Sequence, residues 1–125
     1  LKTWHISPKG DVQFTRPIVL LTCDAVFSGA ECFALALREL PHVTILGEHT
    51  NGIFSYQLEK TLPNRWNYSL SYQQYLSADM ICYEGKGVPA DIELLNTKAD
   101  LDAGEDPLIT RALEILSQQS NSVTI

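Results

Sequence analysis

No stretch of this sequence is long and apolar enough to cross a bilayer. Unbroken apolar runs such as Ile18-Val19-Leu20-Leu21 fall far short of the roughly 20 residues that a spanning helix needs, and no secretory signal is visible. Basic residues are also scarce: 9 Lys and Arg stand against 15 Asp and Glu, a net charge of −6. Phosphate neutralisation needs clustered cations, so this balance excludes nucleic acid as a partner and argues against an anionic membrane surface. Cysteine is limited to Cys23, Cys32 and Cys82, with no C-x-x-C pair and no zinc-like spacing. An odd count leaves at least one thiol free or paired outside this chain, and all three read as small hydrophobes. No metal or cofactor is expected. The chain opens on Leu1, not Met, and reads as a piece of a longer product, so a site divided by its ends is expected.

The chain does have the substance of one domain. It has 125 residues, 45% hydrophobic and 19% charged, enough to bury a core. Residues 1–16 read as irregular, with a turn cluster at Pro8-Lys9-Gly10-Asp11. Pro17 opens the apolar run Ile18 to Cys23, a strand buried on both faces. Ala30, Phe33, Ala34, Leu37 and Leu40 then recur at helical spacing, with Ser28 and Glu31 forming a capping box and Pro41 ending the helix. Val43-Thr44-Ile45-Leu46 is a second apolar strand, which completes a parallel βαβ unit. After the loop Gly47 to Gly52 the period changes to two. Trp66, Tyr68, Leu70 and Tyr72 alternate with polar residues as a half-buried antiparallel strand, paired with 55–62 through the turn Pro63-Asn64-Arg65. Residues 79–83 read as a further short strand. Asp106 as N-cap, Pro107 at the first helical position, and Leu108, Ile109, Ala112, Ile115 and Leu116 mark a C-terminal helix. The tail 117–125 is polar and expected to fray.

Ser28 carries the most chemical interest. It follows a buried strand and sits at the first turn of a helix, where unpaired N–H groups and the helix dipole favour negative charge. A serine there can attack a carbonyl while Gly29 N–H holds the oxyanion. The same Ser28 and Glu31 pair is also what an ordinary capped helix carries. Among possible bases, His5 lies in the irregular segment. His42 is at the far end of the helix, roughly 18 Å away at ~1.5 Å per residue. His49 lies in the loop after the second strand, on the sheet edge where the helix begins, although a solvated loop histidine fits as well. Glu84 and Lys86 flank Gly85 in a tightly shaped loop that suits placing a side chain, or simply exposes charge on a turn. Asn67-Tyr68-Ser69 matches a glycosylation acceptor but falls within a strand.

Taken in order, Pro17 to Leu21, Ser28-Gly29-Ala30-Glu31, Gly47-Glu48-His49-Thr50-Asn51-Gly52, Leu62-Pro63-Asn64, Glu84-Gly85-Lys86-Gly87-Val88-Pro89-Ala90-Asp91 and Asp106-Pro107-Leu108 resemble the C-terminal processing peptidases, or tail-specific proteases. These are relatives of tricorn cores and interphotoreceptor retinoid-binding modules. The resemblance runs from about Pro17 to Leu116. It implies an α/β fold, the crotonase-like (ββα spiral) catalytic core of a tail-specific protease, present in part as a βαβ unit, an antiparallel hairpin and a C-terminal helix. Residues 17–116 would be the C-terminal portion of that core. It also implies a serine peptidase with Ser28 as nucleophile, Gly29 as one oxyanion donor, and His49, Thr50 and Gly52 in the site loop. In the processing branch the base is the lysine of a T-x-G-K stretch. Here that stretch is Thr50-Asn51-Gly52-Ile53, and Ile53 cannot move a proton. In the tricorn-like branch a glutamate supports a histidine supplied from far upstream, and Glu84 resembles that glutamate.

The expected function is therefore a serine endopeptidase acting on protein or peptide substrates. Its base would come from an upstream part of the polypeptide or an oligomer partner, and the fragment alone would be inactive. The family resemblance implies a periplasmic or otherwise extracytoplasmic location. The alternative is a non-catalytic module on the same fold that binds a hydrophobic ligand or a protein, with Trp66, Tyr68 and Tyr72 lining its groove. An acyl-CoA enzyme would share the fold, but no basic patch for phosphate is present.

Overall fold

The computed structural model describes residue 5 and residues 7–121. Among them, the residues before Pro17 form no helix or strand. The elements are β1 (Ile18–Thr22), α1 (Gly29–Arg38), β2 (Val43–Gly47), β3 (Gln57–Thr61), β4 (Asn67–Ser71), β5 (Ile92–Glu93), α2 (Lys98–Ala103) and α3 (Pro107–Asn121). β1, β2 and β5 form a parallel sheet in the order β1-β2-β5. β3 and β4 form a separate antiparallel hairpin. The chain is thus α/β, with the expected βαβ unit at its head.

β2 is covered on both faces by two helices, whereas β1, at the edge of the sheet among the described residues, is not the doubly buried strand expected: Leu21 is 40% exposed and only Thr22 is buried. Successive strand residues point to opposite sides. Ile45 and Leu20 pack toward Cys32 and Leu35 of α1, in a cluster that includes Phe54 and Val88. Leu46, Val19 and Ile92 pack toward Ala112, Ile115 and Leu108 of α3. Ile45, Leu46 and Val88 are fully buried, each a contribution of roughly 1.5–3 kcal/mol. Beyond β2, Asp91 extends the ladder: its N–H donates to Ile45 O (2.8 Å) and its carboxylate accepts from Ile45 N–H (2.8 Å).

Several expectations need correction. α1 ends at Arg38, short of Leu40, because the residue before Pro41 is held out of the helical region. Its buried face is turned from the expected one: Glu31 and Ala34 are buried, whereas Phe33 is 58% exposed and Ala30 and Leu40 are also exposed. The hairpin is real but not half-buried, since every residue of β3 and β4 is exposed. Residues 79–83 form no strand. The Ser77 hydroxyl accepts from Ile81 N–H (3.0 Å) and Met80 N–H donates to Ser77 O (3.0 Å), local bonds that replace a ladder. α3 continues past Ser117 to Asn121. β5 and α2 had no apolar periodicity to announce them, and α2 buries no residue.

Candidate active site at the start of α1

β1 and β2 run parallel and in register, with Thr22 beside Gly47, so the loops after them leave from the same edge of the sheet. Gly47 has φ +129°, and a Cβ there would stand 2.1 Å from Thr22 O. Only glycine lets the two loops start so close together. They then join at intervals: Glu48 N–H donates to Thr22 O (3.0 Å), Asn51 N–H to Val26 O (2.8 Å) and Ser28 N–H to Ile53 O (2.8 Å).

Ser28 sits at φ 56°, ψ −123°, a left-handed conformation that costs a non-glycine residue on the order of 1–3 kcal/mol. A sharp turn of this kind between a strand and a helix presents a serine hydroxyl outward. The two halves of a capping box face each other, but the Ser28 hydroxyl makes no cap hydrogen bond. Instead the Ser28 carbonyl accepts from Glu31 N–H (3.0 Å) and Cys32 N–H (3.1 Å). Ser28 is exposed and lines an open groove of about 290 Å³ with Phe27, Ile53, Ser55, Tyr56 and Gln57. The next amide, Gly29 N–H, opens α1 and has no partner among the described residues. No atom from elsewhere in the fold lies within 4 Å of the Gly29 Cβ position.

Two carboxylates hold the loop beside Ser28. Glu31 is fully buried and accepts four hydrogen bonds. Its Oε1 takes Thr50 Oγ1–H (2.5 Å) and Gly52 N–H (2.6 Å), and its Oε2 takes Ile53 N–H (2.8 Å) and Ser28 N–H (3.2 Å). Glu84 Oε2 takes the next two amides, Phe54 N–H (3.1 Å) and Ser55 N–H (3.0 Å). Four consecutive N–H groups, Gly52 to Ser55, therefore end on two carboxylates. The Thr50 hydroxyl in turn accepts from Val88 N–H (2.7 Å), and Gly85 N–H donates to Gly52 O (2.7 Å). This network ties α1, the 49–55 loop and the 84–88 loop together.

Ser28, Thr50, Gly52 and, through the 54–55 amides, Glu84 thus belong to one hydrogen-bonded cluster with Gly29 at its rim. His49 shares the loop but is exposed, and its Nδ1 bonds to Thr50 O (2.8 Å), with no hydrogen bond to Ser28 or Glu84. Burial first, and then the negative charge of Glu31, push the Cys32 thiol up, which makes it a poor nucleophile at neutral pH. Sequence reasoning took Glu31 for a capping residue and missed its reach into the loop, along with Ser55 and Tyr56 of the groove. The available signal was helical spacing, which places Glu31 on one face with Ala34 and Leu35. A larger open concavity of about 540 Å³ at the start of α3 is lined by Glu105, Asp106, Pro107, Thr110, Arg111 and Glu114, away from this cluster. Among the described residues no His, Cys, Asp and Glu side chains group as a metal site.

Residues 3–94 match the family model of peptidase family S41. The chain belongs to that family. Over 81 residues it is 31% identical to the carboxy-terminal processing protease CtpA of Bacillus subtilis (strain 168), covering 65% of this chain and 17% of CtpA. A crystal structure of a candidate peptidase from Parabacteroides merdae ATCC 43184 superposes with a TM-score of 0.85 at 28% identity, covering 95% of this chain and 38% of that one. The tricorn protease shares the fold, with a TM-score of 0.68 at 20% identity over 83% of this chain and 10% of its own. The S41 chain described here therefore spans well under half the length of these relatives. No helix among its described residues is long and apolar enough to cross a membrane.

Proposed function

We propose that the protein is a serine endopeptidase of the C-terminal processing type, with Ser28 as its nucleophile on a crotonase-like core. The observation that carries this reading is the state of Ser28: a left-handed turn, an exposed hydroxyl without a cap bond, and the unpartnered Gly29 N–H beside it. In the proposed reaction Ser28 Oγ adds to the carbonyl carbon of the scissile peptide bond, and its proton passes to a base from outside these 125 residues. Gly29 N–H donates to the oxyanion. Collapse of the tetrahedral intermediate breaks the C–N bond, the base returns the proton to the leaving amine, and water then hydrolyses the acyl ester.

Glu84 supports that base. Its Oε2 is committed to the Phe54 and Ser55 amides, while Oε1 has no partner among the described residues and is left to orient or charge an imidazole. Ile53 lines the same groove as Ser28 in the position where a dyad lysine would stand, so the reading favours the branch with a separate base. Thr50 and Gly52 fix the site loop. The substrates are proteins or peptides, the upstream polypeptide or an oligomer partner completes the site, residues 1–125 alone are inactive, and the protein works outside the cytoplasm, periplasmic in a Gram-negative host. The test is a fluorophosphonate probe on the full-length protein. We expect an adduct on Ser28, and Ser28→Ala should lose the adduct and on the order of 10⁵–10⁶-fold in kcat. A folded protein that takes no label at Ser28 would sink the reading.

A second reading, a non-catalytic binding module, draws support from the hairpin, where Trp66 is 72% exposed and Tyr72 55%. Saturable binding of a hydrophobic dye, lost in a folded Trp66→Ala variant of a protein whose serine stays unlabelled, would favour it.

A further inference from the structure

We infer that Glu31 is a positioning residue for Ser28, acting through the backbone of the 50–53 loop. The inference rests on the reading of Ser28 as the nucleophile. A glutamate at the third position of a helix ordinarily accepts one hydrogen bond, from the N-cap amide. Glu31 does this at 3.2 Å, but its three shorter bonds go to Thr50, Gly52 and Ile53, outside the helix. It is fully buried and has no cationic partner among the described residues. A carboxylate has room for about four donors, and here each oxygen receives two. The charge is therefore held by N–H and O–H groups alone, and those groups are held by the charge.

What this fixes is the turn at Ser28. Its N–H is shared between Ile53 O and Glu31 Oε2, and Ile53 N–H returns to the same Glu31 oxygen. Ser28 and Ile53 are thus pinned to each other and to one carboxylate, which offsets the strain of the left-handed serine. Glutamine cannot replace it. Whichever way its amide turns, an NH₂ group faces at least one backbone N–H that has no other way to pair. If the NH₂ faces Thr50 and Gly52, the hydroxyl can rotate to accept, but Gly52 N–H cannot. Glu31 does not line the groove, so its loss should displace the Ser28 hydroxyl without removing a substrate contact.

The experiment uses the full-length protein. Glu31→Gln is compared with the unaltered protein for fold by circular dichroism, for the rate of fluorophosphonate labelling at Ser28, and for kcat and KM on a peptide substrate. We expect a folded variant whose labelling rate and kcat both fall about 100-fold while KM is little changed, because a misplacement on the order of 1 Å costs about that much. Glu31→Asp, which keeps the charge, should recover part of the loss. A folded Glu31→Gln variant that labels at the unaltered rate would overturn the inference, as would a fall in affinity alone. If Glu31→Gln does not fold, Thr50→Val removes one donor from Glu31 together with the acceptor of Val88 N–H, and should slow labelling about tenfold in a folded variant, and an unchanged rate there overturns it equally. Absence of label on Ser28 in the unaltered protein is a different result, because it removes the nucleophile reading itself.

Discussion

The 49–55 loop and the β3–β4 hairpin are neighbours in the chain and opposites in construction. The loop has no regular secondary structure, yet Thr50, Gly52, Phe54 and Ser55 are buried, and every amide from Gly52 to Ser55 is paired with a carboxylate. The hairpin is fully regular, with Leu58 opposite Leu70 and Lys60 opposite Tyr68, yet all its strand residues face solvent. Regularity and rigidity are therefore separate properties here. The loop is held by long-range bonds to the buried Glu31 and the half-buried Glu84, whereas the hairpin is held by its own ladder and by pairs such as Tyr56 with Tyr72.

The largest expected effect lies on the loop side. Gly87 has φ +79°, and a Cβ there would meet Thr50 O at 1.9 Å. Gly87→Ala should destabilise the protein by about 3 kcal/mol in urea unfolding. An unchanged midpoint would show that the network yields and would erase the contrast with the hairpin. On the other side, Tyr72→Ala removes an edge-on ring contact of 6.3 Å between exposed residues. It should cost about 0.5–1 kcal/mol by the same measurement, and a larger loss would mean that the hairpin is packed more firmly than its exposure indicates.

The smallest effect is a titration away from both regions. Thr97 donates its hydroxyl and its amide to Asp100 at the start of α2, and these bonds hold the Asp100 carboxyl below its ordinary value. A depressed carboxylate stabilises the fold at pH above its unfolded value, and that contribution fades as pH falls through the folded one. α2 should accordingly loosen only in acid. In Thr97→Ala, NMR titration should find the Asp100 pKa moved up toward the ordinary carboxylate range, and an unmoved value would contradict the assigned cause.

The sequence made some of this legible for definite reasons. β1 and β2 were readable as short apolar runs between turn signals, although Leu21 of β1 is exposed where burial was expected, and α1 because Ser28, Glu31 and Pro41 punctuate it. The hairpin was readable from its alternation. Its exposure was not, because alternation says which side chains share a face and not what covers that face. Glu31 was misjudged because its local role, helix capping, is visible at a spacing of three, while Thr50, Gly52 and Ile53 lie some twenty residues away. The resemblance singled out Glu84, but nothing in the sequence foretold that one of its oxygens is spent on the Phe54 and Ser55 amides.

The backbone at Ser28 also sets the terms on which this position evolves. Glycine adopts φ 56° without penalty, so Ser28→Gly should make the protein more stable, by about 1 kcal/mol. Alanine keeps the strain and gains nothing. On the proposed reading of Ser28 as nucleophile, the side chain at this position is kept at a cost in thermal robustness that glycine would remove.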